Sequence, residues 1–458
     1  MAEGWKRRWS PSGKNSKKSL KDVLCVHPFS PSSTCTWDLP LSKSHALRYL
    51  FFAAQSKQVV VFSNVEHSGE DIIAMRDCLR QLGVEIEDSD SKWTVHGVGP
   101  HGFKPSPTVL NARNSGVTFR FLTALCSRIH GIHMLDGDAS LRNRPHDSIF
   151  ETLSQIGVHM SFGQNEETLP IIIQGAEIEC ATITIDASST SQPLSAWIAA
   201  SPGFSHQVTF ELSQDIVSQR HAMLSFEMAK MFGGHLDWNG TSITVDPWIP
   251  TFEHQEIAIP LDASMQSFAF LFCKVLDAEI KFPVLPSDDE SIGHEIIHTF
   301  HKELGFSIEN NLLNANPNSS YVTIDLKDAN DFITPLTAIM ALGGGGELTS
   351  ISHASHKESN RVQSTISVLN QFGIIAHHDK GAIHVEGGQT IQTPDQLIQT
   401  FDDHRIQMTA TILALAAKKP VFVEGSELHA VADPMAIRRL KTFGADITVE
   451  LLNLNSRK

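Results

Sequence analysis

Six phrases in this chain share one pattern: an apolar helix end, a glycine, then a residue that opens a strand. Leu79-Arg80-Gln81-Leu82-Gly83-Val84 is the first and Leu153-Ser154-Gln155-Ile156-Gly157-Val158 the second. Ala229-Lys230-Met231-Phe232-Gly233-Gly234, Lys302-Glu303-Leu304-Gly305-Phe306, Leu369-Asn370-Gln371-Phe372-Gly373-Ile374 and Leu440-Lys441-Thr442-Phe443-Gly444-Ala445 complete the set. Successive glycines stand 74, 76, 72, 68 and 71 residues apart. A helix that ends in the left-handed conformation favours glycine, which has no Cβ to clash there. A fixed period of this length means repeated copies of one folding unit, here six.

A second, more apolar helix precedes each capped one. These helices start near Ser42-Lys43-Ser44, Asn114-Ser115-Gly116, Thr190-Ser191-Gln192, Asp262-Ala263-Ser264, Asn330-Asp331 and Asp402-Asp403-His404-Arg405. Bodies such as Phe119 to Cys126 and Phe332 to Leu342 are apolar nearly all round, which predicts burial. A β-rich run follows each, as in Val59-Val60-Val61-Phe62 and Val421-Phe422-Val423. Each unit thus reads as helix, strand, capped helix, strand, with a further strand before the next, an α/β fold. Buried helix starts need their free N–H groups satisfied, and Ser, Thr, Asn and Asp do that. The same N–H groups and the helix dipole also favour a bound phosphate or carboxylate. The first three starts have no acidic residue and carry Lys43, Arg48 and Arg120, whereas the fifth and sixth carry Asp331 and Asp402-Asp403. One half of the chain is therefore expected to hold an anion, and the other to bring carboxylates to it.

At 458 residues the chain exceeds one compact core, and six units split naturally into three and three near Pro247-Trp248-Ile249-Pro250. A net charge of −15 argues against a nucleic-acid surface. The six cysteines are scattered, with no Cys-x-x-Cys pair, which fits a reducing compartment such as the cytoplasm better than disulfides or zinc. The 23 histidines show no metal-ligand spacing. No apolar run reaches the roughly 18 residues of a membrane span. Residues 1–19 are basic and rich in Ser and Gly, the composition of a disordered tail or, less well, of a transit peptide. Gly343-Gly344-Gly345-Gly346 lacks the spacing of a phosphate loop and reads as a flexible connection.

Several of the helix starts resemble the motifs of the EPSP synthase (3-phosphoshikimate 1-carboxyvinyltransferase) family. Leu39-Pro40-Leu41-Ser42-Lys43-Ser44-His45-Ala46-Leu47-Arg48 is similar to its Pro-Gly-Ser-Lys-Ser…Arg motif, and Asn114-Ser115-Gly116 with Arg120 to its Gly-Asn-Ala/Ser-Gly-Thr…Arg loop. Arg142-Asn143-Arg144-Pro145, Ser189-Thr190-Ser191-Gln192, Lys357-Glu358-Ser359-Asn360-Arg361 and Asp403-His404-Arg405 resemble further segments in order. Any one is weak; six in order, at the starts of repeated units, are specific. The resemblance implies a two-domain enolpyruvyl transferase fold with three units per domain and the active site in the interdomain cleft. Residues 38–250 would form the N-terminal domain, and 20–37 with 251–458 the C-terminal one.

It also implies a reaction. The enolpyruvyl group of phosphoenolpyruvate passes to a hydroxyl of 3-phosphoshikimate, or of another cyclitol or sugar phosphate, by addition and then elimination of phosphate; the other alternative is a non-catalytic relative that keeps the fold for binding. No metal or organic cofactor, no nucleic acid and no membrane is implied, and the protein would be a monomer. Lys43, Gly116, Arg144, Gln192, Arg361 and Arg405 would contact phosphoenolpyruvate. Ser44, Arg48, Thr190, Ser191, Gln192, Ser218, Asp331 and Lys357 would contact the acceptor. Asp331 matches the family's base, Glu358 its proton donor, and Lys357 stands beside them. Read without the resemblance, Asp331 is a helix cap, Lys357-Glu358…Arg361 a solvated helix face, and Arg120 and Arg144 ordinary ion-pair residues.

The chain also departs from the family's pattern. Leu41 and Arg113 stand where it has glycines, Val117 where it has threonine, and Asn360 where it has aspartate. His221 replaces an acceptor-site tyrosine and His353 an asparagine. Val431 stands in place of a lysine that contacts phosphoenolpyruvate. Arg113 is expected either to supply that lost charge or to fill the pocket. The UDP-sugar enolpyruvyl transferases fit less well, because they present a reactive cysteine on a mobile loop and Cys126 lies within an apolar helix.

Overall fold

All six capping glycines take the left-handed conformation in the computed structural model, which describes residues 20–89, 91–163, 167–286 and 294–453. Their φ angles run from 71° at Gly373 to 105° at Gly444. In each cap the glycine N–H reaches the carbonyl three residues back and the next N–H reaches five back, as from Val84 to Leu79 at 3.1 Å. That bonding satisfies carbonyls that a helix end would leave open. The basic stretch 1–19 lies outside the described residues.

The capped helices are the outer ones: Glu70–Gln81, Asp147–Gln155, Gln219–Met231, His294–Phe300, Arg361–Gln371 and Ala436–Thr442. The inner helices are Lys43–Gln55, Gly116–Cys126, Gln192–Ala200, Gln266–Leu276, Ile333–Leu342 and His404–Leu415. Their sides are buried almost throughout, as their composition predicts; every residue of His404–Leu415 is buried. Around them, among the described residues, stand five four-stranded sheets and one three-stranded sheet. In each four-stranded sheet a parallel pair is extended by an antiparallel hairpin. The third, for example, pairs Thr182–Ile185 in parallel with Val208–Leu212, then adds Ser242–Val245 and Leu236–Trp238.

Two hydrophobic cores result. One gathers buried side chains from Leu41 to Ile259, the other from Leu24 to Leu39 and from Met265 to Ile447. The chain crosses between them twice, where Leu41 bridges Leu261. Strands are exchanged at these crossings. Leu20–Val26 is the central strand of the sixth sheet, between Val421–Glu424 and Ile447–Asn453. Cys35–Thr36 leads the fourth sheet. Glu256–Ala258 pairs with Val59–Ser63 of the first sheet, so that sheet extends beyond the join read at Pro250.

The glycine run is not the flexible connection its composition suggested. Gly345 and Gly346 open the strand Gly345–Thr349, and a Cβ on Gly344 would lie 2.4 Å from the Ser320 carbonyl carbon. The run is glycine because backbones meet there.

Candidate active site

The inner helices begin at the cleft between the two cores. The starts of the first, second, third, fifth and sixth line one cavity, through Lys43, Gly116, Gln192, Asp331 and Arg405. The fourth, at Ala263 and Ser264, lines a smaller cavity that shares Lys43, Asp331 and Arg405. Side-chain caps hold several of these starts: Ser42 on His45 N–H, Ser115 on Thr118 N–H and Asp403 on Arg405 N–H.

The second unit contributes a fork of cations. Gly116 permits it: a Cβ there would lie 2.8 Å from Arg120 Nη1, 3.2 Å from Gln192 Oε1 and 3.3 Å from Arg144 Nη1. Arg120 donates to Gln192 Oε1 at 2.7 Å and to the Gly116 and Pro145 carbonyls. Arg144 donates to Asn114 Oδ1 at 2.6 Å and to Ser140 Oγ. Arg48 donates to Ser225 Oγ at 2.7 Å, to Ser195 Oγ and to the carbonyls of Ser44 and His221. All these acceptors are neutral. Burial pushes Arg48 and Arg120 down to about 9, which leaves both charged at neutral pH. Buried cations without a counter-charge are unfavourable unless an anion joins them.

The C-terminal core supplies the carboxylates. Asp331 is not a cap: its helix starts from Ala329 without a side-chain cap. It accepts from Arg361 Nη1 at 2.6 Å through one oxygen and from Arg405 Nη2 at 3.0 Å through the other. Burial works to raise its pKa, but Arg405, then Arg361 and Lys357, hold it well below the usual carboxylate range. Glu358 accepts from Arg361 Nη2 at 2.6 Å. Against burial, Arg361 and Arg144 hold it well below its ordinary value too. Lys357 and Glu358 line the cleft ahead of the helix that Arg361 begins, so they are no solvated helix face. Burial lowers Lys357 despite Asp331 nearby. Arg361 lies behind the cavity wall, 1 % exposed, bonded to Asp331, Glu358 and Asp403.

The remaining expected residues fall on the same wall. Ser44, Thr190, Ser191 and Ser218 line the cavity with those above. Ser191 Oγ donates to the Ser218 carbonyl at 2.9 Å. Ser218 is left-handed (φ 50°), and its N–H donates to Lys327 O, joining the two cores. Ser140 Oγ also crosses the cleft, to Glu358 O.

Two ionisable lining residues escaped the sequence reading. Asp71, 4 % exposed, pairs with Lys43 at 3.0 Å and keeps a second buried oxygen without a partner. It stands in the first turn of an outer helix, where an acidic residue reads only as a complement to the dipole. Burial works against the Lys43 charge, but Asp71, then Glu358 and Asp331, raise it above its ordinary value. His404, 2 % exposed, has an unpartnered Nε2 and is pushed by burial to about 3, hence neutral. Only the surrounding Asp-His-Arg phrase signalled it.

The departures resolve unevenly. Val117, His221 and His353 line the cleft. Burial, then Lys357 and Arg48, push His221 to about 3. Asn360 caps the Arg361 helix, accepting from Gln363 N–H. Arg113 neither supplies the missing charge nor fills the pocket. Its guanidinium is tied to Glu70 and, at 3.0 Å, to Asp77 on the first outer helix. Cys126 is fully buried at the end of its helix and burial raises its thiol, which suits no nucleophile. Among the described residues no three His, Cys, Asp or Glu side chains gather as metal ligands, and no helix is long and apolar enough to cross a membrane.

Two cores joined by exchanged strands, with helix starts facing one cationic cleft, define the enolpyruvyl transferase fold. EPSP synthase from Acinetobacter baumannii superposes with a TM-score of 0.73 at 22 % identity, over 94 % of this chain and 100 % of that one. The enolpyruvyl transferase NikO from Streptomyces tendae superposes at 0.70 and 14 % identity, over 94 % and 100 %. The sequence of residues 34–440 matches the EPSP synthase (3-phosphoshikimate 1-carboxyvinyltransferase) family, and the chain belongs to it. The 3-phosphoshikimate 1-carboxyvinyltransferase of Methanocorpusculum labreanum is 27 % identical over 420 residues, 90 % of this chain and 96 % of that one. That of Methanococcoides burtonii is 25 % identical over 417 residues, 89 % and 95 %.

Proposed function

We propose that this chain transfers the enolpyruvyl group of phosphoenolpyruvate to a hydroxyl of 3-phosphoshikimate. One observation carries the reading: Arg48, Arg120 and Arg144 meet at helix starts and bond only neutral acceptors, so an anion completes the site. Six cations and three carboxylates line a cleft in a chain of net charge −15, so the positive field is local.

In this reading Lys43, Gly116, Arg144, Gln192 and Arg405 hold phosphoenolpyruvate, and Arg361 supports them from behind. Ser44, Arg48, Thr190, Ser191, Ser218 and Lys357 hold the acceptor. Asp331, kept ionised by its arginines, takes the hydroxyl proton as the oxygen bonds to the enol carbon. The enol methylene gains a proton from Glu358. Arg361 and Arg144 hold Glu358 ionised, so it must first acquire that proton. Anions bound to Arg144 and Lys43 offset the cations that depress it and so raise its affinity for one. In the second step the methyl carbon returns a proton to Glu358, the double bond re-forms, and phosphate leaves with the proton that Asp331 took from the hydroxyl. The same proposal takes the enzyme to be a cytoplasmic monomer.

Phosphate release from purified protein, phosphoenolpyruvate and 3-phosphoshikimate tests it. Release that depends on both substrates is expected. Binding of phosphoenolpyruvate by calorimetry without release would replace the acceptor; neither binding nor release would sink the reading.

A further inference from the structure

Gly69 ends the loop before the first outer helix, and its conformation does not call for glycine. Its φ of −66° and ψ of 161° are ordinary extended backbone, open to any residue. It also occupies the N-cap position of Glu70–Gln81, where Ser, Thr, Asp or Asn would cap an N–H, and no side-chain cap is present. The space around it supplies the reason. A Cβ on Gly69 would lie 2.5 Å from the Val431 carbonyl oxygen, 3.1 Å from the Val431 carbonyl carbon and 3.3 Å from Ala432 Cα. Ordinary carbon–oxygen contacts start at about 3.3 Å. The obstructing atoms are main chain and belong to the other domain.

The two partners sit directly behind catalytic surfaces. Gly69 starts the helix that carries Asp71, whose carboxylate lines the cleft and holds Lys43. Val431 closes the short turn Leu428–Val431, which follows the strand Val421–Glu424 after the helix of His404 and Arg405. We propose that Gly69 is a positioning residue for closure: its bare Cα lets the Leu428–Val431 main chain seat on the first outer helix. That contact brings Asp71 and Lys43 up to Glu358 and Arg405. The inference rests on the transferase reading for its kinetics but not for its geometry.

Gly69→Ser separates a closure role from a structural one. Serine suits the N-cap and the backbone, so the melting temperature of the unliganded variant reports only what the crowded contact with Val431 costs the fold. Its Cβ holds the domains about 1 Å further apart, a displacement that costs on the order of 100-fold in rate where catalytic groups must meet. Small-angle scattering with saturating inorganic phosphate should give a larger radius of gyration for Gly69→Ser than for wild type. The kcat for phosphate release should fall by about two orders of magnitude, with phosphoenolpyruvate KM changed far less. Equal radii, or kcat within twofold of wild type, overturns the inference. A lower melting temperature matching the activity loss does the same, because it assigns Gly69 to folding. Wild type without turnover would sink the transferase reading alone, and the scattering comparison would still decide closure.

Discussion

Asp331 gives one carboxylate oxygen to Arg361 and the other to Arg405 and still faces the cleft. Asp331→Asn keeps that shape and removes the base. It should lower kcat by roughly 100- to 10,000-fold while calorimetry shows acceptor binding within a few-fold. Unchanged kcat would leave Asp331 as a clamp for two arginines. Arg144→Ala removes a cation with neutral partners and should raise phosphoenolpyruvate KM by about 10- to 100-fold, a charge-assisted bond being worth about 1.5–3 kcal/mol. An unmoved KM would take Arg144 out of the site. Histidines set the acid limit. His45, His146, His221 and His404 are pushed from 6.5 to about 3 by burial, so the fold holds them neutral while the unfolded chain protonates them. Their depressed values give stability that is complete above pH 6.5 and is lost as pH falls from 6.5 toward 3. Each contributes a slope approaching 1.4 kcal/mol per pH unit, so urea midpoints should drop between pH 7 and pH 5. His146→Gln should lessen that drop, and an identical drop would discount His146. The charged motifs were legible because they repeat a known order of residue types. Asp71 was not, since nothing local distinguishes it from an acidic residue that merely complements a helix dipole.

The capped outer helix is the element that sequence disclosed best. One residue type at one position meets a backbone need that no other residue meets equally well, so the pattern survives large changes around it. Gly157 tests that claim cleanly. Its φ is 73°, and a Cβ would meet nothing within 4 Å, so alanine there pays only for the left-handed backbone. Gly157→Ala should destabilise by about 1–2 kcal/mol with activity kept. Calorimetry should register that as a fall of several degrees in the N-terminal domain. No fall would mean the second cap does not hold its helix. Strand pairing was less legible. Cys35–Thr36 and Leu110–Asn111 are two residues long, too short for an alternating pattern, and they pair because long buried helices bring them beside their partners. At the fifth helix start the local pattern and the family resemblance pointed different ways: alone, Asn330 and Asp331 look like a cap, but the ion pairs with Arg361 and Arg405 claim the carboxylate.

The first core is continuous in the chain, from Leu41 to Ile259, whereas the second joins residues 24–39 to 265–447, and this has a consequence for how the molecule can be divided. The sixth sheet is held together by its central strand, Leu20–Val26, from the far end of the chain. A fragment 251–458 lacks that strand and Cys35–Thr36, and keeps Glu256–Ala258, which belongs to the first sheet. It should fail to fold, as its core would lose Leu24, Val26, Cys35, Trp37 and Leu39. The register offers a remedy. Leu20 lies opposite Asn453 on antiparallel strands, so a short turn from 453 to 20 would make an ordinary hairpin. A permuted chain running 259–453, a turn of a few residues, then 20–41 should fold on its own, with a single cooperative transition. The fragment 42–258 should fold likewise, and 42–250 should be less stable for want of Glu256–Ala258. Mixed, the two stable halves should rebuild the cleft only weakly, because the crossings at Leu41 and Leu261 no longer raise their effective concentration. Phosphate release should then depend on the concentration of both halves, and added substrate should favour the complex. Release at full rate from dilute halves would mean that the crossings are mere connections. A permuted C-terminal chain without a cooperative transition would mean that the second core depends on the first.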